Sequence, residues 1–220
     1  SVFGSGGKVR PVAGAPASPV LGQVLLGEVS VVVVEIDWID APAEALVLSA
    51  NNHLGLESAT GNAGNLHTRC PDLHDRIRAS VELPMRPGMG TVTEGPNRNH
   101  VIHAVTVEYA RSGASPGAST SSVAAACEFA LSTAISSGYR SLAFSPMCTR
   151  GHARPWMQRT HAEIWMPRVQ AGVIGARLGR GRCAALETVL HCLRPSQLAE
   201  ERSKNVVDAE RYLATVRNFL

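Results

Sequence analysis

The sequence runs to 220 residues, 45% hydrophobic and 18% charged, with a formal net charge of +3 and a pI near 8.7. This suits one globular α/β domain with appendages, and the mild charge permits an anionic ligand without demanding nucleic acid. No apolar run approaches the roughly 20 residues that cross a bilayer, and five scattered cysteines without a Cys-x-x-Cys pair argue for free thiols in a reducing, cytoplasmic setting rather than a disulfide frame.

Residues 1–23 mix glycine, proline, alanine and serine without periodicity and read as a flexible leader, with no export signal. A single domain is expected over 24–220. Val24 to Leu26 and the β-branched run Val29 to Ile36 read as strands. Ala45 to Leu48 is apolar without alternation, as in a strand covered on both faces. Pro71 opens a helix through Leu73, Ile77 and Val81, and Pro84 and Pro87 stop it. Gly90 to Glu94 and His100 to Val107 follow as strands.

A Ser/Gly/Pro loop then leads to a helix capped by Thr120, Ser121 or Ser122 and stopped at Gly138. Ser141 to Phe144 is a strand, followed by a second turn of small residues. A helix from Pro155 should kink or end at Pro167. Residues 172–183 read as a basic Gly/Arg loop, Leu186 to Leu193 as the last strand, and 195–220 as a helical tail. Helices alternating with strands imply a three-layer α/β/α sandwich around a mixed, mostly parallel central sheet.

The most informative stretch is Glu35 to Pro71. A buried strand there empties into asparagines, a glycine-spaced loop and a helix start, which is how α/β proteins build a ligand crevice. Glycines let backbone N–H groups close on an anion, and the helix adds its positive end. This points to a phosphate-binding loop, although ordinary turn chemistry looks similar.

Five segments in order, EIDWI, LSANN, TGNAGNLHTRCP, GTVTEGPNRNHVIHAV and AFSPMCTRGHARP, resemble the landmarks of the macro domain family, which binds ADP-ribose. The resemblance spans about Gly27 to Leu193. It implies that Asp37 accepts from the adenine amino group and that Trp38 gives a backbone N–H and a stacking face. Ala50 and Asn51 would line the distal ribose, and Gly61, Asn62, Ala63 and Gly64 would present N–H groups to the diphosphate. Cys148, Thr149, Arg150, Gly151 and His152 would form the opposing wall. No cofactor or metal is implied, and the partner is ADP-ribose, free or on a macromolecule.

Departures from the family pattern are Ile36, Leu48, Arg150 and Ala153, with Ala63 where de-ADP-ribosylating members carry an aspartate. Arg150 would either add charge beside the diphosphate or fill the site. With no acid at position 63, a hydrolase activity would rest on Asn51 and substrate-held water. A degenerate, non-catalytic scaffold for protein or RNA is the alternative.

Blander roles compete at several positions. Asp37 can cap a strand end, Asn51 and Asn52 can form a turn, and His103 is better read as a buried core residue than a catalyst. Cys148 lacks a recognisable base. His67, Cys70 and His74 fall at i, i+3 and i+7, one helical face, but do not reproduce a known ligand set. Arg177, Arg180 and Arg182 read as a solvated loop, since no aromatics interleave them to stack bases.

Overall fold

Valine-rich segments set the sheet, and the alternation of their side chains decides what each face carries. A computed structural model describes residues 18–56, 61–109, 117–148, 159–180 and 185–220. In chain order the elements are β1 (Val20–Leu26), β2 (Val29–Glu35), a 3-10 turn (Trp38–Asp40), β3 (Ala45–Asn51), α1 (Gly61–Arg69), α2 (Leu73–Ser80) and β4 (Gly90–Glu94). Then come β5 (His100–Val107), α3 (Thr120–Ser136), β6 (Ser141–Phe144), α4 (Arg159–Gly179), β7 (Thr188–Leu193) and α5 (Ala199–Arg217). The sheet order is β1-β2-β7-β6-β3-β5-β4. Both edge strands are antiparallel to their neighbours, and the five inner strands run parallel.

Two cores lie on opposite faces of this sheet. Val29, Val31 and Val33 of β2 and Ala45 and Val47 of β3 pack on the side of α3, α4 and α5. Val32, Val34, Leu46, Leu48 and Ala50 pack on the other side, against Trp38, Leu66, Leu73 and Ile77. This is the three-layer sandwich, with mixed and mostly parallel strands, that the sequence implies. No helix among the described residues is long and apolar enough to cross a membrane.

The structure corrects several sequence expectations. β1 begins at Val20, inside the expected leader, because residues 20 to 26 pair with β2. The cap of α3 is Ser119, whose hydroxyl accepts from Ser122 N at 3.1 Å in a reciprocal capping box, so residues 120–122 form the first turn. His67 lies on α1, His74 on α2 and Cys70 between them, so the three do not share one helical face. No cluster of three metal-ligating side chains occurs among the described residues.

The largest correction is α4. It runs through Pro167 and takes residues 172–179 out of the expected basic loop; residues 181–183 lie outside the described residues. A stripe of buried positions, Ala162, Met166, Gln170, Ile174 and Leu178, continues across the proline, so tertiary burial offsets the missing N–H. Gly175 and Gly179 are close-approach sites rather than loop formers. A Cβ on Gly175 would stand 2.5 Å from the Phe219 ring, and one on Gly179 2.6 Å from the Phe219 carbonyl. Arg177 falls in the last turn of this helix, where a cation suits the dipole.

Candidate functional site

The carboxyl ends of β2, β7, β6 and β3 open onto one cleft of about 1010 Å³. This is where parallel sheets place ligand sites. Asp37 and Asn51 stand at the exits of β2 and β3, three strand spacings apart, or about 14 Å.

At the β3 end, Asn51 organises the exit turn. Its side-chain oxygen accepts from His53 N at 2.9 Å and Gly55 N at 3.2 Å, leaving the amide NH₂ as the donor without a partner among the described residues. The turn-forming role and a ligand-donor role are therefore compatible in one side chain. Gly61 starts α1 with φ of +65°, a left-handed backbone that a side chain would strain. The expected loop of Gly61, Asn62, Ala63 and Gly64 is thus the first turn of a helix. Its N–H groups are those for which a helix start offers no intrahelical acceptor, reinforced by the dipole. Asn62 Nδ2 donates to Ser145 Oγ at 2.6 Å, tying this helix start to the turn after β6.

Beneath that end lies a polar floor. Ser49 Oγ and Thr106 Oγ1 are 2.6 Å apart, and Cys148 Sγ is 3.3 Å from the first and 3.2 Å from the second. Burial pushes the Cys148 thiol pKa up, while its hydrogen bonds with Ser49 and Thr106 act against the shift. A thiol held protonated is a poor nucleophile. Cys148 also has φ of +54°, an uncommon conformation for a β-substituted residue and a mark of constraint where the second turn begins. The turn is pinned from behind by Gln170, which is fully buried in α4. It donates to the Ser145 carbonyl at 3.3 Å and accepts from Met147 N at 3.4 Å.

At the β2 end, Asp37 lines the cleft, and its Oδ1 accepts from Ile39 N at 3.3 Å and caps the 3-10 turn. Trp38 differs from expectation. Its indole is 2% exposed and donates to the Ala143 carbonyl at 3.3 Å, so the ring is spent on the core and offers no stacking face. Ala50 lines the cleft at the other end, as does Ala63. Thr149, Arg150, Gly151 and His152 lie outside the described residues.

Sequence reasoning missed the far side of this end, between α4 and α5. Lys204 Nζ meets Glu163 at 2.9 Å across the two helices, Arg211 meets Asp208 at 3.7 Å, and Asn205 Nδ2 donates to Glu35 at 2.7 Å. Under them the His191 and Tyr212 rings stack with centroids 3.8 Å apart. Burial lowers the His191 pKa to about 3 and raises that of Tyr212 well above its ordinary value. His103, by contrast, is the core residue expected. It is fully buried, 2.9 Å from Thr93 Oγ1, with its pKa lowered to about 4 by burial.

Solved structures with this architecture share little sequence with the chain. A macrodomain of Oceanobacillus iheyensis with ADP is 13% identical, covers 93% of this chain and 100% of that one, and superposes with a TM-score of 0.69. A Trypanosoma brucei macrodomain in complex with ADP-ribose is 19% identical over 80% of this chain and 67% of that one, with a TM-score of 0.58. The macro domain of ganglioside induced differentiation associated protein 2 is 20% identical over 81% and 83%, with a TM-score of 0.54. No protein-family model and no curated protein matches the sequence. At these identities it is the fold that is shared: the chain has the macrodomain fold.

Proposed function

We propose that the cleft binds ADP-ribose, free or carried on a macromolecule, with the diphosphate at the start of α1 and the adenine at Asp37. The observation that carries this reading is the pairing, in one cleft, of a helix start tied to the β6 turn through Asn62 with the carboxylate residue Asp37 at the exit of β2. Anions favour the first position, and an amino-bearing purine suits the second. The ligands of the O. iheyensis and T. brucei structures, ADP and ADP-ribose, are of this chemistry.

Binding is a better-supported role than hydrolysis. Water attack at the distal ribose needs a base, and no carboxylate or imidazole lines the β3 end among the described residues. Asn51 has its oxygen committed to two backbone N–H groups, Ala63 has no functional group, and burial favours the protonated Cys148 thiol.

Calorimetric titration with ADP-ribose, ADP and AMP tests binding directly, and micromolar or tighter affinity for ADP-ribose is the expected result. The adenine assignment is tested by Asp37→Asn, which keeps a cap for the 3-10 turn but turns the free acceptor into a donor. ADP-ribose should weaken roughly tenfold or more from the lost charge-assisted bond. The hypoxanthine analogue, which offers an acceptor where adenine offers an amino group, should gain relative to it. Equal loss for both bases would remove Asp37 from base recognition.

A further inference from the structure

We infer that the protein pairs with a second copy of itself along the open edge of β1, continuing the seven-stranded sheet across a two-fold axis. β1 is an outer strand with β2 on one side, and the edge in question is its other side, over residues 22 to 26.

Backbone parity shows which groups this edge presents. Gly27 and Glu28 join β1 to β2, and Gly27 has φ of +60°, as the first central position of a type II′ turn requires. Such a turn makes its flanking pair, Leu26 and Val29, a hydrogen-bonded one. The alternation of an antiparallel ladder then does the same for Val24 and Val31. Gln23 and Leu25 therefore aim their N–H and C=O groups away from β2, and those groups have no backbone partner among the described residues. Their side chains share the face opposite the buried Val24 and Leu26, and Leu25 is 60% exposed.

Sheet edges are ordinarily kept apart by charge, by proline, by shortness or by a bulge. The seven residues of β1, VLGQVLL, carry neither charge nor proline. A bulge between Val20 and Gly22 blunts only the start of the strand. The opposite edge is guarded: β4 has five residues and ends on the exposed Glu94.

A second copy fits this edge because the edge is complementary to itself. An antiparallel partner centred on Val24 sets Gln23 opposite the partner's Leu25, and Leu25 opposite the partner's Gln23. In both pairs outward groups meet outward groups, giving four intermolecular hydrogen bonds. Each Leu25 also packs on the methylenes of an uncharged glutamine, so no like charges face each other across the axis.

Sedimentation velocity of the intact protein from about 1 to 200 μM tests the pairing, and a concentration-dependent dimer is expected, as for a small interface. Leu25→Lys should weaken the dimer roughly tenfold or more, since it replaces two symmetric apolar contacts with charge. Its melting temperature should stay within a few degrees, because the side chain is exposed. Val92→Lys, on β4, should leave association unchanged. The double variant Gln23→Cys, Leu25→Cys should cross-link between copies under oxidised glutathione, since hydrogen-bonded pairs bring Cα atoms to about 5.5 Å. A monomer at every concentration overturns the inference, including the case in which residues 1–17 take the edge themselves. So does a dimer that Leu25→Lys leaves intact, or that Val92→Lys weakens as much.

Discussion

The polar groups at the β3 end of the cleft are amides, hydroxyls and backbone N–H groups, supplied by residues 49 to 65, Thr106 and the turn after β6. At the β2–β7 end they are carboxylates, guanidiniums and buried rings brought in by α4 and α5. The first end holds fixed dipoles with no mobile charge of its own, so an anion placed there is stabilised without competition from a protein carboxylate. The second end is charged but largely compensated internally, so its selectivity depends on the few groups left over. A new charge should therefore matter far more at the first end than at the second.

The strongest way to break that contrast is to place a carboxylate at each end. Ala63→Glu adds a negative charge in the first turn of α1, where it suits the helix dipole and leaves melting temperature within a few degrees. Against a bound diphosphate the same charge should cost about 100-fold or more in ADP-ribose affinity, since like-charge juxtaposition costs several kcal/mol. Position 63 serves better than Gly61, where the positive φ would confound charge with strain. Gln197→Glu, on the exposed rim of the other end, should cost less than about threefold, because solvent screens it. Similar losses for both variants, by calorimetry, would dissolve the distinction between the ends.

Acid should act on stability through buried imidazoles, and one of these belongs to the second end. Burial disfavours the charged ring and lowers the pKa of His191 to about 3 and that of His103 to about 4 in the folded protein, against about 6.5 for a free imidazole. Below about pH 6.5 the unfolded chain therefore binds protons that the folded chain refuses. Their stabilising contribution is whole above pH 6.5 and is lost progressively toward pH 4, on the order of 3 kcal/mol for His103. Urea midpoints measured from pH 7 to 4 should fall, and His103→Gln should flatten part of the fall. A wild-type midpoint constant over that window would contradict the buried neutral histidines.

The same contrast explains what could be read from the sequence. The β3 end is local: LSANN and TGNAG carry the strand exit, the amides and the helix start within seventeen residues, Leu48 to Gly64. Even there the loop proved to be a helical turn, because a glycine at a left-handed helix entry and a glycine in a loop look alike in sequence. The second end is assembled from distant segments. Asn205 meets Glu35 across 170 residues and Lys204 meets Glu163 across 41, and neither pair leaves a local pattern. Helix α4 was obscured by Pro167 and by glycines whose purpose, making room for Phe219, exists only once α5 has packed. Trp38 shows the converse: its position at the strand exit was legible, but the burial that removes its ring from the cleft depends on Ala143, 105 residues away.

The smallest expected effect concerns the link that joins the α1 start to the β6 turn. Asn62 Nδ2 and Ser145 Oγ are 2.6 Å apart, and Ser145 is held on its other side by Gln170. Asn62→Ala should cost about 1 kcal/mol of stability, because Asn62 lines the cleft and water can serve the freed hydroxyl. The consequence for binding is positional: with the link gone, the helix start and the opposing turn no longer hold one spacing, and ADP-ribose affinity should fall roughly three- to tenfold. Ser145→Ala should do the same, and the double variant should lose no more than either single one, since both delete one interaction. Additive losses in that cycle would mean that each side chain contacts the ligand separately. The two walls would then owe their spacing to Gln170 and the core alone.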